Sequence, residues 1–218
     1  EPVEGGGGPE LLAGPVEQPD EELLPGVALL GLLPEDVRVD ADDGRLLWTV
    51  PLRNRFETNV TTPVYGGGQI FYVTPYAEEG RAYRLHAAGD QITAEQVWHA
   101  PLDTVTGGGV LVDKTLFTAG YRQNKFWFAV DWATGQTRYE LKEFSTGAAV
   151  YADGRWYLFD EKGTVGMVRP GENGLQVAGK LQLVTDRVRD AWAHPVLLDG
   201  RLYLRYHDTL WCFDVQGD

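Results

Sequence analysis

The chain has 218 residues, of which 43% are hydrophobic and 11% aromatic, and its formal net charge is -13. This length suits one all-β domain, and so negative a chain repels phosphate backbones and anionic lipid surfaces, which sets nucleic-acid binding and electrostatic membrane docking aside. No apolar stretch is long enough to cross a bilayer as a helix, and the single cysteine, Cys212, rules out an internal disulfide or a paired-cysteine metal site.

Residues 1–22 are rich in Gly, Pro and Glu, include the run Gly5 to Gly8, and carry no period. They read as a tail or linker. Residues 23–33 are the most apolar piece, but Pro25 and Gly26 interrupt it, so it does not read as a signal peptide. The chain starts at Glu1 rather than Met, and a leader or more is expected to have been removed. Residues 1–35 are therefore taken as an N-terminal segment, with at most a turn or two of helix near 20–36, and residues 36–218 as the repeat region.

From about residue 36, short alternating apolar runs are separated by glycine or Asp-Gly turns. Gly68, Lys114, Gly154 and Gly200 each precede an aromatic- and leucine-rich strand, in steps of 46, 40 and 46 residues. A period near 40–45 residues holding four strands is the sequence signature of a β-propeller. Asp153-Gly154 and Asp199-Gly200 predict tight two-residue hairpins, because both central positions of such a turn need positive φ. The 27 glycines fit many short strands.

A second element recurs. Ala129-Val130-Asp131-Trp132-Ala133-Thr134-Gly135 is followed by Tyr139, four residues past the glycine. Val39-Asp40-Ala41-Asp42-Asp43-Gly44 is followed by Trp48 at the same distance. Leu210-Trp211-Cys212-Phe213-Asp214 reads as a shortened third copy, with Cys212 expected to be a buried, inert thiol. The Asp carboxylate is suited to cap the turn backbone, and the glycine to take the left-handed position. The aromatic on the following strand then fills the wedge between neighbouring sheets.

These residues resemble the tryptophan-docking repeat of the pyrroloquinoline-quinone-like bacterial β-propellers, Ala-x-Asp-x-x-Thr-Gly-x-x-x-Trp. The match lies at Ala129, Asp131, Thr134 and Gly135 with Tyr139 in the Trp position, and at Asp40, Gly44 and Trp48 with Asp43 in place of Thr. The hairpins at 150–158 and 195–204 resemble further strands of the same repeats, and the stretch from Asp190 to Arg205 looks like a C-terminal blade. The resemblance implies an all-β fold of four-stranded antiparallel blades, about four to five here or part of an eight-bladed ring. Asp40, Gly44, Trp48, Asp131, Gly135, Tyr139, Trp211 and Asp214 would be the blade-docking residues. The last unit stops after its third strand, so Arg45–Val50 is expected either to complete it and close a small ring or to leave an open arc whose edges invite self-association.

The same resemblance frames the chemistry. Quinoprotein dehydrogenases of this family hold pyrroloquinoline quinone over a Trp floor with Ca²⁺, a catalytic Asp and often a vicinal disulfide, which one cysteine cannot form. Ser145, the sole serine, lacks a nucleophile elbow. His86, His99, His194 and His207 show no metal spacing. The stretch from Asp40 to Gly44 has the wrong spacing for a calcium loop, and Gly107-Gly108-Gly109 lacks the Lys-Ser/Thr of a phosphate loop and more readily lets an inner strand crowd the axis. The cluster Arg189, Asp190, Trp192 and His194, with an ion pair, is the ligand-binding candidate; the competing reading makes Trp192 and His194 core or inter-blade residues. Asn59 and Thr61, and also Thr104 and Thr106, hold analogous places before other inner strands, and convergence of all of them on one rim would favour a site. The expected function is a non-catalytic binding or scaffold propeller with a protein or peptide partner, extracytoplasmic in a bacterium. The alternative is a quinoprotein-like oxidoreductase with quinone in the central cleft, and a glycan-associated propeller is a third class that the aromatics permit.

Overall fold

The computed structural model describes residues 27–30, 35–40, 42–51, 54, 56, 59–76, 79–89, 91–122, 124–171 and 174–216. These form five antiparallel sheets in chain order, with no helix among the described residues. The first sheet holds β1 (Val27–Leu30), β2 (Glu35–Asp40) and β3 (Leu46–Pro51). The second holds β4 (Val64–Gly66), β5 (Gln69–Tyr72), β6 (Gly80–Ala88) and β7 (Gln91–Ala100). The third holds β8 (Gly109–Val112), β9 (Thr115–Ala119), β10 (Trp127–Asp131) and β11 (Thr137–Leu141). The fourth holds β12 (Gly147–Ala152), β13 (Arg155–Asp160), β14 (Thr164–Gly171) and β15 (Gly174–Gln182). The fifth holds β16 (Val196–Leu198), β17 (Arg201–Tyr206) and β18 (Thr209–Asp214).

Each complete sheet is a meander whose first strand lies innermost: β4 packs beside β8, β8 beside β12, and β12 beside β16. Glycine permits this crowding, since a Cβ on Gly107 would run into the Gly147 carbonyl at the β8–β12 approach. The turns behave as read. Asp153 and Gly154 have φ of 49° and 74°, and Asp199 and Gly200 have 49° and 70°, the mirror-image hairpin geometry that matches strand twist.

Val27–Leu30, in the N-terminal segment where at most a turn or two of helix was expected, is instead a strand of the first sheet, paired with β2. The stretch 45–50 does not complete the last unit: β3 pairs with β2 in its own sheet, as β11 pairs with β10, because its turn at Asp40–Gly44 is a short local hairpin. Among the described residues the fifth sheet keeps three strands, and the sheets form an open arc.

Four apolar clusters alternate with the five sheets. Alternate residues of one strand feed opposite seams: Ile70 and Tyr72 face the first sheet while Phe71 faces the third, and Tyr157 and Phe159 face the fifth while Leu158 faces the third. This is the period-2 pattern of a strand buried on both sides.

Three of the four seams are filled by the same kind of wedge. In the second sheet a bulge falls between Ala82 and Tyr83, and Trp98 stands opposite Ala82. Its indole stacks on Phe71 at 5.3 Å, lies over Gly135 of the next sheet, and donates from Nε1 to the Trp132 carbonyl at 2.8 Å. Gly135 has φ of 73°, and a Cβ there would stand 2.6 Å from the indole, so the position excludes other residues twice over. Tyr139, opposite Ala129 beside the equivalent bulge, lies on Gly174 of the fourth sheet, and Trp48, opposite Arg38, meets Tyr72 edge-on at 6.1 Å. Trp98 was not singled out in the sequence because its hairpin, around Gly89, lacks the Asp-x-x-Thr-Gly turn. Trp211 was singled out, but it lies on β18, three residues before Asp214, where Phe128 precedes Asp131. It therefore faces the seam from the third strand and does not hold the docking position. Cys212, on the opposite side of β18, is exposed rather than buried.

The turn carboxylates cap as expected. Asp131 Oδ1 accepts from the Ala133 and Thr134 amides and the Thr134 hydroxyl, and Oδ2 from Arg138. Burial works to raise its pKa, but these donors together outweigh it and hold the carboxyl below its ordinary range. Asp40 accepts from the Asp42 amide at 3.0 Å and Asp214 from the Gln216 amide at 3.0 Å.

Replacing Trp98 by Ala is expected to cost about 3–5 kcal/mol of unfolding free energy. The same change at Tyr139, which is 44% exposed, should cost about 1 kcal/mol. Urea denaturation of the two variants measures the difference, and equal losses would contradict the wedge assignment.

Candidate functional site

Strand alternation sends two kinds of loop to one end of the arc: those joining second to third strands, and those leading from one sheet to the next. Every ligand-binding candidate from the sequence lies in these loops, between β3 and β4 or between β15 and β16.

The structure gives the candidates different tasks. Asp190 pairs with Arg187 at 2.8 Å, not with Arg189. The Arg189 amide and carbonyl both bond the Tyr206 hydroxyl at 3.0 Å, so Arg189 serves through its backbone. Trp192 is 51% exposed and donates from Nε1 to Glu161 Oε1 at 3.0 Å. His194 is exposed, and its Nε2 donates to the Thr106 carbonyl at 2.7 Å, which ties the approach to β16 to the approach to β8. Neither Trp192 nor His194 is a core residue, and each bonds a loop of another sheet. Thr61 donates to the Val105 carbonyl at 2.7 Å, and Asn59 accepts from the Thr74 hydroxyl at 2.8 Å. Asn59 and Thr61 thus brace the second sheet's entry loop on the same rim, apart from Trp192. Thr104 is fully buried.

What the sequence did not single out is a group of aromatic and charged side chains in the loops at the same end. Phe56 meets Tyr76 edge-on at 4.5 Å, and Tyr76 meets Tyr121 at 5.4 Å. The Arg122 guanidinium lies 4.6 Å from the centre of the Tyr76 ring. The Glu161 charge acts on both phenols, and Glu161 accepts from the Trp192 indole. These residues come from the loops after β3, β5, β9, β13 and β15, so one end of the arc gathers side chains from four sheets and from the link to the fifth. Its backbone is held from below. Asp103, buried, accepts from the Tyr121 and Arg122 amides at 2.8 Å each, and Asp160, buried, accepts from the Ser145, Lys162 and Thr164 amides. Tyr76 has φ of 63°, an uncommon conformation for a side chain of that size, and such strain is often kept at a functional surface.

The electrostatics are local. The Tyr121 hydroxyl, 3.4 Å from that of Tyr76, and then Arg122 favour the Tyr76 phenolate and hold its pKa below the usual phenol value. The hydrogen bond to Tyr76, with burial, pushes Tyr121 up to about 12. Burial raises the Glu161 carboxyl; the Trp192 bond opposes this, and the Asp190 charge adds to it.

Asp103 and Asp160 spend both oxygens on backbone amides, and among the described residues no group of three or more His, Cys, Asp or Glu side chains that could hold a metal converges.

Five face-packed antiparallel sheets, with a wedge aromatic in three of the four seams, define a β-propeller arc with a loop-built face at one end. The model of the family described as "Outer membrane protein assembly factor BamB" matches residues 33–218, and the chain belongs to that family. Among solved structures the chain is similar to BamB from Moraxella catarrhalis, with a TM-score of 0.64 and 14% identity over 86% of this chain and 55% of that one. It is also similar to the N-terminal domain of Nup159, with a TM-score of 0.56 and 11% identity over 82% of this chain and 49% of that one. A chain in the S. cerevisiae assembly of Dbp5 bound to Nup159 and Gle1 gives 0.54 and 10% over 83% and 49%. At these identities the likeness is one of fold, and the chain spans about half the length of the structures it matches. No curated protein sequence matches it.

Because its folded-state pKa is raised, Glu161 is protonated more readily in the folded than in the unfolded chain, so its contribution to stability falls as pH rises through the carboxylate range. Glu161→Gln keeps an acceptor for the Trp192 indole and removes the charge. The urea midpoint of this variant relative to the parent should rise from acid to neutral pH, and at neutral pH it should be at least as stable as the parent.

Proposed function

We propose that the chain is a non-catalytic binding propeller, extracytoplasmic in a bacterium, that recognises a protein partner through its loop-built face. The observation that carries this reading is the packed group Phe56–Tyr76–Tyr121 with Arg122 laid on it, together with the half-exposed Trp192 bonded to Glu161, all in loops at one end of the arc. Tyr, Trp and Arg are the side chains that dominate binding energy at protein interfaces, because they offer large contact area with few rotors and a polar tip. Two buried carboxylates pre-form the loop backbones, which lowers the ordering cost of association.

Family membership supports a partner among the components of outer membrane protein assembly, since that is the role printed for the family. The test is site-specific photo-crosslinking in the source cells, with the reactive group at Lys125 on the face or at Leu210 on the exposed side of β18. Crosslinks to outer-membrane assembly components are expected from Lys125 and not from Leu210. Trp192→Ala and Arg122→Ala should each weaken binding of the purified partner at least about tenfold, roughly 1.4 kcal/mol, with unchanged urea midpoints. Crosslinking from Leu210 alone would overturn the reading. A stoichiometric absorbance change when pyrroloquinoline quinone and Ca²⁺ are added would instead favour the oxidoreductase class.

A further inference from the structure

One seam lacks its wedge. In the first three sheets the residue facing the bulge is Trp48, Trp98 or Tyr139. In the fourth sheet the bulge falls between Met167 and Val168, and the residue opposite Met167 is Gly179. The backbone does not demand a glycine here. The φ of Gly179 is not positive, and a Cβ would meet only Met167, at an ordinary 3.8 Å. The missing side chain leaves a cleft of about 270 Å³ between the fourth and fifth sheets, lined by Tyr157, Met167, Leu181, Leu202, Phe213 and Val215.

We infer that this cleft is a binding slot for an indole, the tryptophan side chain of an extended segment of a partner protein. The filled seams say what the space accepts, since the Trp98 indole occupies the same position one seam pair earlier. The polar contact is also prepared. Trp98 Nε1 donates to the Trp132 carbonyl, and the corresponding carbonyl in the fifth sheet is that of Val215: the Val215 amide donates to Gly200 at 2.9 Å as the Trp132 amide donates to Lys114 at 3.0 Å. Where the second and third sheets have Ala82 and Ala129 opposite the aromatic, this sheet has Met167, an unbranched side chain that can swing aside for an incoming ring. β15 is the outer edge strand of its sheet, so its main chain is placed to hold an extended segment by strand addition while the indole enters the slot. The slot is separate from the loop-built face and does not depend on its reading.

Met167 is the only methionine, so its methyl group gives a single, assigned NMR signal at the slot. With methyl-labelled protein, N-acetyltryptophanamide should move this signal upfield and saturably, and N-acetylleucinamide should not. A tryptophan-centred strand peptide should bind more tightly than the amide. Gly179→Trp should shift the signal upfield by itself, raise the urea midpoint and abolish the response. Leu181→Arg, at an exposed rim position, should weaken the peptide about tenfold at an unchanged midpoint, which keeps the test decisive should the tryptophan variant not fold. A signal unmoved by N-acetyltryptophanamide, an equal response to the leucine amide, or a peptide no tighter than the amide would overturn the inference.

Discussion

The architecture depends on a flat side chain from the outer strand of one sheet lying on the turn glycine of the next. Two twisted sheets packed face to face diverge toward their outer edges, and a gap there would forfeit the dispersion contacts of both walls. An aromatic ring fills that divergence with few rotors, and the indole adds a directional bond from Trp98 to the Trp132 carbonyl. The same carbonyl also accepts from the Gln69 side chain at 2.6 Å, so three elements of two sheets are tied at one point. The bulge on the third strand belongs to this device, because it turns the local pleat and re-aims the facing side chain into the seam.

Stacking by wedges has a consequence for the loops. Inner strands approach closely at Gly107 and Gly147, and outer strands are held apart by rings, so the sheets fan and their loops at one end converge. Side chains as distant in sequence as Phe56 and Trp192 become members of one surface. That surface is a mixed aromatic and charged rim rather than a closed cavity, with its backbone fixed by Asp103 and Asp160. Such a face suits recognition of another macromolecule better than enclosure of a small molecule, which needs a pocket that buries most of the ligand.

The two ends of the arc differ in how completely the wedge is used. The seam between the second and third sheets is filled by an indole and the next by a half-exposed phenol. The last has a glycine, and Met167 reaches into only part of the volume. Packing quality thus declines toward the fifth sheet, whose three strands present an exposed face at Leu210 and Cys212. The sequence carries this decline as the replacement of Ala and aromatic by Met and Gly, but the pairing that aligns Met167 with Gly179 has to be known before the substitution can be recognised.

Much of the fold was legible because its signals are local. Asp-Gly turns need nothing beyond their own backbone to require positive φ, alternation along a strand reports both seams, and the Asp-capped turn at 131–135 is closed by atoms within three residues of one another. The sequence alone therefore determined the strand count per unit, the period, the position of the hairpins and the identity of Trp48 and Tyr139 as wedge residues. Long-range geometry decided the rest. Trp98 could not be told from an ordinary strand residue, nor Trp211 from a docking residue, until strand order placed them on fourth and third strands. The partners of Asp190 and Trp192, the group from Phe56 to Tyr121 and the exposure of Cys212 all depend on how whole sheets stack, and stacking brings together residues whose separation along the chain leaves no local trace.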